Sequence, residues 1–329
     1  MTALATPDTI RTTASRPLRR VRVDALRLVA ERVLTVDLVA ADDTPLPAWE
    51  PGAHVDLHLT DTLVRQYSLC SDPGEGRWRI GVLEELDGRG GSHHVHHELS
   101  VGDELLVSHP RNTIPLELGR QRTVFVAGGI GVTPILPMVR AAQEAGADWA
   151  LIYLTRSAET AAFLDELGAL GERVTIHHDS RDGILDLGVA LDATGASDAA
   201  VFACGPGGLL AALEEYAGSR PACRLRLERF EGPGDTGPRE GDTEFVVEIA
   251  DGTEIEVAAD ESILEALDRA GVPVLSSCQE GICGTCETAV ISGVPDHRDQ
   301  ILSEEEHESG EMMMVCVSRC LGSRLVLDL

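Results

Sequence analysis

The chain has 329 residues, and 27 basic against 55 acidic side chains leave a net charge of −28, so binding driven by the nucleic-acid phosphate backbone is excluded as a main activity. There is no lysine, and all 27 basic residues are Arg, which rules out Schiff-base catalysis and any P-loop that needs its Lys. The length suits two or three domains, and the longest apolar runs, such as Ala199–Ala203, fall far short of the roughly 20 residues that span a bilayer. Neither nucleic acid nor membrane is expected as a partner.

Residues 1–20 hold several Arg but no apolar stretch of the secretory-signal kind, and are expected to be a disordered tail of a cytoplasmic protein. Residues 21–118 carry short alternating stretches, His54–Leu59 and Trp78–Leu83, which predict an antiparallel β-barrel. Gly88-Arg-Gly-Gly-Ser92 follows, and its N–H groups with the Ser92 hydroxyl suit a phosphate. The adjacent His93, His94, His96 and His97 lie on different faces and read as a structural or solvated cluster. Residues 119–231 change character. Fully apolar strands at Thr123–Ala127, Ala150–Leu154, Val174–His177 and Ala200–Cys204 alternate with helical stretches at Pro134–Ala145 and Gly208–Ala217, which predicts βαβ units around a parallel sheet. The glycines running into Thr133-Pro134 allow a dinucleotide pyrophosphate to approach a helix start.

Four Gly and two Pro within Glu231–Gly241 mark a linker, placed at 232–242. Residues 243–329 begin with two alternating strands around Asp251-Gly252, a hairpin signal. A helix follows, capped by Ser262 and Glu265 and stopped by Gly271. Cys278-x4-Cys283-x2-Cys286, with Cys316 after a further 29 residues, is the plant-type spacing for a [2Fe–2S] cluster. Zinc is the other metal four thiolates can hold, but its sites pair two close Cys knuckles and only one close pair is present. Cys320 competes as fourth ligand. Cys316 is preferred because it follows the apolar Met312–Val315, while Cys320 sits against the closing strand Arg324–Leu329.

With hairpin, helix and cysteine loop in this order, the segment from about Asp242 resembles the β-grasp plant-type ferredoxins. Arg65-Gln66-Tyr67-Ser68 resembles the Arg-x-Tyr-Ser motif of the ferredoxin-reductase flavoproteins, Gly128-Gly129-Ile-Gly131-Val-Thr133-Pro134 their Gly-Gly-x-Gly-x-Thr-Pro motif, and Cys204-Gly205-Pro206 their Cys-Gly-Pro turn. Glu228-Arg-Phe230 resembles the ending of the flavoprotein part in phthalate dioxygenase reductases. Taken in order over residues 21–329, the chain resembles the phthalate dioxygenase reductase family, vanillate demethylase reductases included.

The resemblance implies a multidomain protein: an antiparallel β-barrel flavin domain, an α/β parallel-sheet nucleotide domain and an α+β β-grasp ferredoxin domain. It implies an NAD(P)H-dependent oxidoreductase passing electrons from NADH through FMN and a 2Fe–2S cluster to a terminal oxygenase, of Rieske type or else a cytochrome P450; a non-turnover redox or iron sensor is the rival class. Ser68, Cys204 and Phe230 would be catalytic. Arg65, Gln66, Tyr67, Val82, Leu83, Gly90, Gly91 and Ser92 would hold FMN. Gly129, Gly131, Thr133, Pro134, Arg156, Ser157, Gly205 and Pro206 would hold the nicotinamide nucleotide, and Cys278, Cys283, Cys286 and Cys316 the cluster. At the nucleotide-specificity turn, Arg156 and Ser157 stand where an acidic residue would mark NADH, so NADPH stays open. Residues 243–329 carry 19 acidic side chains against four Arg, which suits a basic docking face on the acceptor.

Overall fold

The computed structural model describes residues 18–60, 63–232 and 237–329, and they divide into two units, Leu18–Glu231 and the residues from Gly232 onward. In the first half of the first unit, seven strands form one antiparallel sheet: β1 (Arg19–Ala30), β2 (Val33–Ala40), β3 (Ala53–His58), β4 (Val64–Ser68), β5 (Trp78–Leu83), β6 (Glu104–Val107) and β7 (Arg111–Asn112). The order is β4-β3-β6-β1-β2-β5, with β7 on β3. A bridge between Leu69 and Ile80, and a 2.8 Å bond from the Cys70 N–H to the Arg79 carbonyl, join the two ends into a barrel. Val21, Val36, Leu38, Leu57, Trp78 and Ile80 are among the side chains that fill it. Helix α1 (Gly91–His97) follows β5. Arg19 and Arg20 pair with Val107 and Leu106, so the expected tail stops short of residue 20; residues 1–17 lie outside the described residues.

Alternation in β3 predicts one wet face, yet His54 and Asp56 are as buried as Val55 and Leu57. Asp56 is held by both Nη atoms of Arg111 at 2.7 and 2.8 Å. An ion pair with good geometry lets the polar face of a strand be covered.

The second half is a five-stranded parallel sheet of β8 (Thr123–Gly128), β9 (Trp149–Thr155), β10 (Val174–His178), β11 (Ala200–Cys204) and β12 (Arg224–Glu228), in the order β10-β9-β8-β11-β12. Its helices are α2 (Val132–Glu144), α3 (Leu164–Gly168), α4 (Asp179–Asp182), α5 (Leu187–Thr194) and α6 (Gly207–Gly218). Strand order reverses between β8 and β11, so the connections leaving their carboxyl ends part to opposite sides and open a crevice there. Helix α2 begins two residues before the expected Pro134. That places the proline in the first turn, where a missing N–H costs nothing.

The second unit holds β13 (Phe245–Ile249), β14 (Glu254–Val257), α7 (Ile263–Arg269), β15 (Glu287–Ser292), β16 (Pro295–Asp296), α8 (Glu304–Ser309), β17 (Met312–Met314), β18 (Arg319–Cys320) and β19 (Arg324–Leu327). The sheet runs β14-β13-β19-β15-β17, with β16 and β18 paired separately. β13 and β19 are parallel and the other neighbours antiparallel. The capping box at α7 is formed as the sequence suggests: Ser262 Oγ accepts from the Glu265 N–H at 3.2 Å, and Glu265 accepts from the Ser262 N–H at 2.9 Å.

One ionic network ties this unit's entrance to its later half. Arg298, with 5% of its side chain exposed, holds both oxygens of Asp242 at 2.8 and 2.6 Å and reaches Asp296 at 2.6 Å. Asp242, at the end of the expected linker, is therefore bound into the folded domain. Its carboxyl is held far below the usual range, chiefly by Arg298. Arg298→Ala would leave Asp242 and Asp296 without this cation and is expected to cost about 3 kcal/mol. Thermal melts followed by the visible absorption of the C-terminal unit should show a clear fall in Tm, and an unchanged midpoint would refute the network's importance.

Candidate functional site

Strand β4 delivers the Arg-x-Tyr-Ser residues. Ser68 is buried and Tyr67 half-buried, and burial pushes the Tyr67 hydroxyl above its ordinary pKa, so it stays protonated. The Nε2 of Gln66 is buried with no hydrogen-bond partner among the described residues. An orphaned buried donor between Arg65 and Tyr67 suits the carbonyl edge of a flat heteroaromatic ligand.

Arg65 crosses to the start of α1. Its guanidinium donates to the Val64 carbonyl at 2.8 Å and to the Arg89 carbonyl, and a Cβ on Gly91 would stand 2.3 Å from Arg65 Cγ. Gly91 is therefore required for the arginine to lie there. Gly90 has φ of 82°, and Ser92 Oγ accepts the Glu85 N–H at 3.0 Å, leaving its own proton to donate. Burial, then the charge of Arg89, lowers the pKa of Arg65; two neighbouring cations at a glycine turn favour an anion between them. At the end of β5, Val82 is buried and Leu83 half-buried. The Val82 carbonyl is bonded by His96 at 3.0 Å, His94 pairs with Glu98 at 3.0 Å and the His93 ring lies tilted against that of His97. The histidines thus have structural work around α1.

Across the crevice, the two glycine turns of the parallel sheet touch backbone to backbone. A Cβ on Gly131 would stand 2.3 Å from the Cys204 carbonyl oxygen, and one on Gly128 2.7 Å from Pro206. One on Gly205 would stand 3.0 Å from Gly128 Cα. Gly129 has φ of 52° with open space where a side chain would be, so a ligand can approach its backbone. Thr133 donates to the Ile130 carbonyl at 2.9 Å, and its methyl carbon lies 2.7 Å from where a Gly81 Cβ would be, so the barrel's β5 and the start of α2 are in contact. Pro134 is buried in that first turn.

After β9, Arg156 is exposed, and its guanidinium makes no hydrogen bond or ion pair among the described residues; its carbonyl accepts the Ser180 N–H at 2.8 Å. Ser157 bonds the Glu159 carboxylate, which this holds below its usual pKa. An acidic group therefore stands in the turn after β9, four residues beyond the strand and not at its end, where Arg156 and Ser157 lie.

Cys204 is fully buried, and burial followed by the charge of Glu228 raises its thiol well above the ordinary value. It is a protonated thiol. Glu228 is its register partner on β12, accepts from Thr113 Oγ1 at 3.1 Å and lies 3.8 Å from His54 Nδ1. Burial lifts its carboxyl to about 7. The sequence marked Glu228 only as part of the Glu-Arg-Phe ending; its signal is a carboxylate at the carboxyl end of the last parallel strand, opposite the Cys-Gly-Pro turn. Phe230, two residues on, is exposed.

In the second unit, the loop between α7 and β15 carries Cys278, Cys283 and Cys286, and Cys316 follows β17. All four are buried. Their thiols bond one another, Cys278 to Cys283 and Cys316, and Cys316 to Cys286. The Glu280 N–H points at Cys278 Sγ at 3.3 Å. Gly281 has φ of 69°, and a Cβ there would stand 2.7 Å from Val317 and 3.0 Å from Asp299 Cα. A converged quartet with backbone donors around it suits an iron–sulfur cluster. Cys320 stands apart: its Sγ accepts the Gly322 N–H at 3.2 Å and it pairs with Pro295.

Comparison with known proteins agrees. The 2Fe-2S iron-sulfur cluster binding domain family matches residues 247–321. The putative toluene-4-sulfonate monooxygenase system reductase subunit TsaB2 of Comamonas testosteroni is 43% identical over 314 residues, covering 94% of this chain and 98% of that one. The solved structure of phthalate dioxygenase reductase superposes with a TM-score of 0.70 at 36% identity, covering 95% of this chain and 98% of that one. The chain belongs to the phthalate dioxygenase reductase family. It is an oxidoreductase with a flavin-binding antiparallel sheet, a parallel-sheet nucleotide domain and a C-terminal 2Fe–2S domain, as the sequence motifs implied. A type IV self-sufficient cytochrome P450 monooxygenase also superposes, with a TM-score of 0.84 at 36% identity over 99% of this chain, which spans 43% of that longer protein. Among the described residues no helix is long and apolar enough to cross a membrane.

Glu228 yields a prediction with a definite sign. Its folded pKa of about 7 lies above the ordinary 4.5, so its contribution to stability is complete below about pH 4.5 and lost as pH rises through about 7. Glu228→Gln mimics the protonated carboxyl. It is expected to match the parent near pH 4 and to exceed it by up to about 3 kcal/mol at pH 8 in urea melts. An equal gap at both pH values would contradict a buried, titrating carboxyl.

Proposed function

We propose that this chain is the reductase component of a Rieske-type oxygenase system in the cytoplasm, taking electrons from NADH by way of FMN and a [2Fe–2S] cluster held by Cys278, Cys283, Cys286 and Cys316. The observation that carries this reading is the buried cysteine quartet on the same chain as a flavin and nucleotide site: a two-electron donor's seat and a one-electron carrier's seat. Bound flavin supplies what no side chain can, exchange between hydride and single electrons.

The chain's own residues bind and orient. Arg65, with Gly90, Gly91 and Ser92, makes the seat for a flavin phosphate, and no second seat for an adenine is apparent in the sequence, which supports FMN. Gln66, Tyr67 and Ser68 face the ring with donors, and Val82 and Leu83 line it. Gly129 and Gly131 admit the pyrophosphate at the start of α2, with Thr133 and Pro134 shaping that turn. Cys204, as a neutral thiol, and the Gly205-Pro206 turn position the nicotinamide without adding charge beside it. Phe230 covers the flavin until nicotinamide enters. The Glu159 carboxylate offers an acceptor to a ribose 2′-hydroxyl, which supports NADH; Arg156 and Ser157 are the residues through which NADPH would be read. Cytoplasmic placement rests on the quartet, whose thiolates need reducing surroundings.

A cytochrome P450 is the second reading of the acceptor. It is favoured by the close superposition on the self-sufficient P450 protein.

Two experiments test the proposal. Heat-denatured protein should release FMN, and the intact protein should show a higher kcat/KM with NADH than with NADPH in sustained ferricyanide reduction. Released FAD, a preference for NADPH or the single turnover of a sensor would each count against it. Cys316→Ser should lose the visible absorption and reduced EPR signal of the cluster while NADH-dependent ferricyanide reduction continues, and Cys320→Ser should keep both signals. The reverse pattern would overturn the ligand assignment.

A further inference from the structure

Apart from the cysteine quartet, the second unit gathers another set of metal-type donors. His297 and Asp299 lie between β16 and α8, and His307 lies on α8. One donor atom from each falls within 4.8 Å of the other two. His307 Nε2 is 3.3 Å from both Asp299 oxygens, His297 Nδ1 is 3.7 Å from Asp299 Oδ1, and the two rings stack with centroids 4.5 Å apart. Ligands around a tetrahedral ion at bond lengths of about 2.1 Å stand about 3.4 Å from one another. The two histidine–carboxylate separations, 3.3 and 3.7 Å, lie close to that value.

Ordinary hydrogen bonding explains part of this cluster and leaves one member unexplained. Asp299 has no exposed side-chain surface, and its Oδ2 accepts the N–H groups of Ile301 and Leu302 at 3.3 and 2.9 Å, so its place is fixed by the loop. His307 is satisfied by Asp299. His297, with 11% of its side chain exposed, has both ring nitrogens buried without a hydrogen-bond partner among the described residues. A separation of 3.7 Å is too long for a hydrogen bond, and a buried polar nitrogen without a partner is destabilising. Burial, then the proximity of His307, lowers the pKa of His297, which favours the neutral ring that ligates metals.

We propose that His297, Asp299 and His307 bind one divalent transition-metal ion of the zinc class, separately from the cysteine quartet. Two imidazoles and one carboxylate suit zinc and its neighbours and do not suit calcium or magnesium, which take oxygen ligands. His307, with 31% of its side chain exposed, leaves a route from solvent, and Glu304, Glu305, Glu306 and Glu308 on or beside the same turn of chain raise the local cation concentration.

The test uses the purified protein loaded with flavin and cluster, dialysed against metal-free buffer. It is given zinc chloride in twofold excess and gel-filtered, and zinc and iron are counted by mass spectrometry. One zinc per chain is expected, with iron and the cluster's visible absorption unchanged. His297→Ala and His307→Ala should each weaken zinc binding by at least about tenfold, the loss expected even for a group that only supports a ligand. His307→Gln, at a partly exposed site, serves as the folded variant should alanine destabilise the loop. His93→Ala alters the exposed Glu84, His93 and His97 trio and should leave zinc uptake intact. Failure of the parent to retain zinc, retention by the His297 and His307 variants, loss in His93→Ala, or a fall in iron as zinc enters would each overturn the proposal.

Discussion

Gly131 lies so close to the Cys204 carbonyl that a single added carbon would stand 2.3 Å from it, and this backbone contact holds the nucleotide side of the first unit together. Two turns leave the carboxyl ends of adjacent parallel strands, β8 and β11, and can meet only if neither carries a side chain at the contact. Once they meet, several consequences follow. The Cys204 thiol is buried beneath the crevice, α2 starts with its first N–H groups at the opening, and Thr133 presses on Gly81 of the barrel. The pairing of β11 with β12 then brings Glu228 beside Cys204.

Burial at that point changes the chemistry of the groups involved. A carboxyl lifted to about 7 stands beside a thiol kept protonated, so the charge at this point is set by the carboxyl alone and changes as pH passes through neutrality. The second unit follows a different logic. There the cationic Arg298 and Arg319 are buried against acceptors, and thiols are gathered by a glycine-bearing loop. Of the four Arg in residues 243–329, Arg298 and Arg319 lie inside, where each meets several acceptors, while Arg269 and Arg324 stay exposed and pair with surface carboxylates.

Most of the architecture was legible in the sequence because it is encoded locally. Alternation marked the barrel strands, continuous apolar runs the parallel ones, and Ser262 with Glu265 the cap of α7. The cysteine spacing singled out Cys316 over Cys320. The gaps are those that local signals leave. Alternation marked β3 as a strand and could not show that its polar side is covered, since the cation that holds Asp56, Arg111, lies 55 residues away. Helix α2 began before its proline because the first turn needs no N–H. In the turn after β9 the bond between Ser157 and Glu159 could not be read, since it depends on how the turn closes.

The sequence by itself determined the family, the order of the domains and where the candidate motifs stand: the flavin strand, the two glycine turns, the Glu-Arg-Phe ending and the four spaced cysteines. Residues a few positions apart are held at nearly constant distance by the chain, so their spacing is already geometry. Tertiary structure alone decided which distant groups meet. Glu228 lies beside Cys204 through strand pairing, and His54 reaches Glu228 across the first unit. His307 reaches Asp299 because α8 folds back over its own loop. Such meetings depend on packing summed over a whole core, and no short stretch of sequence contains them.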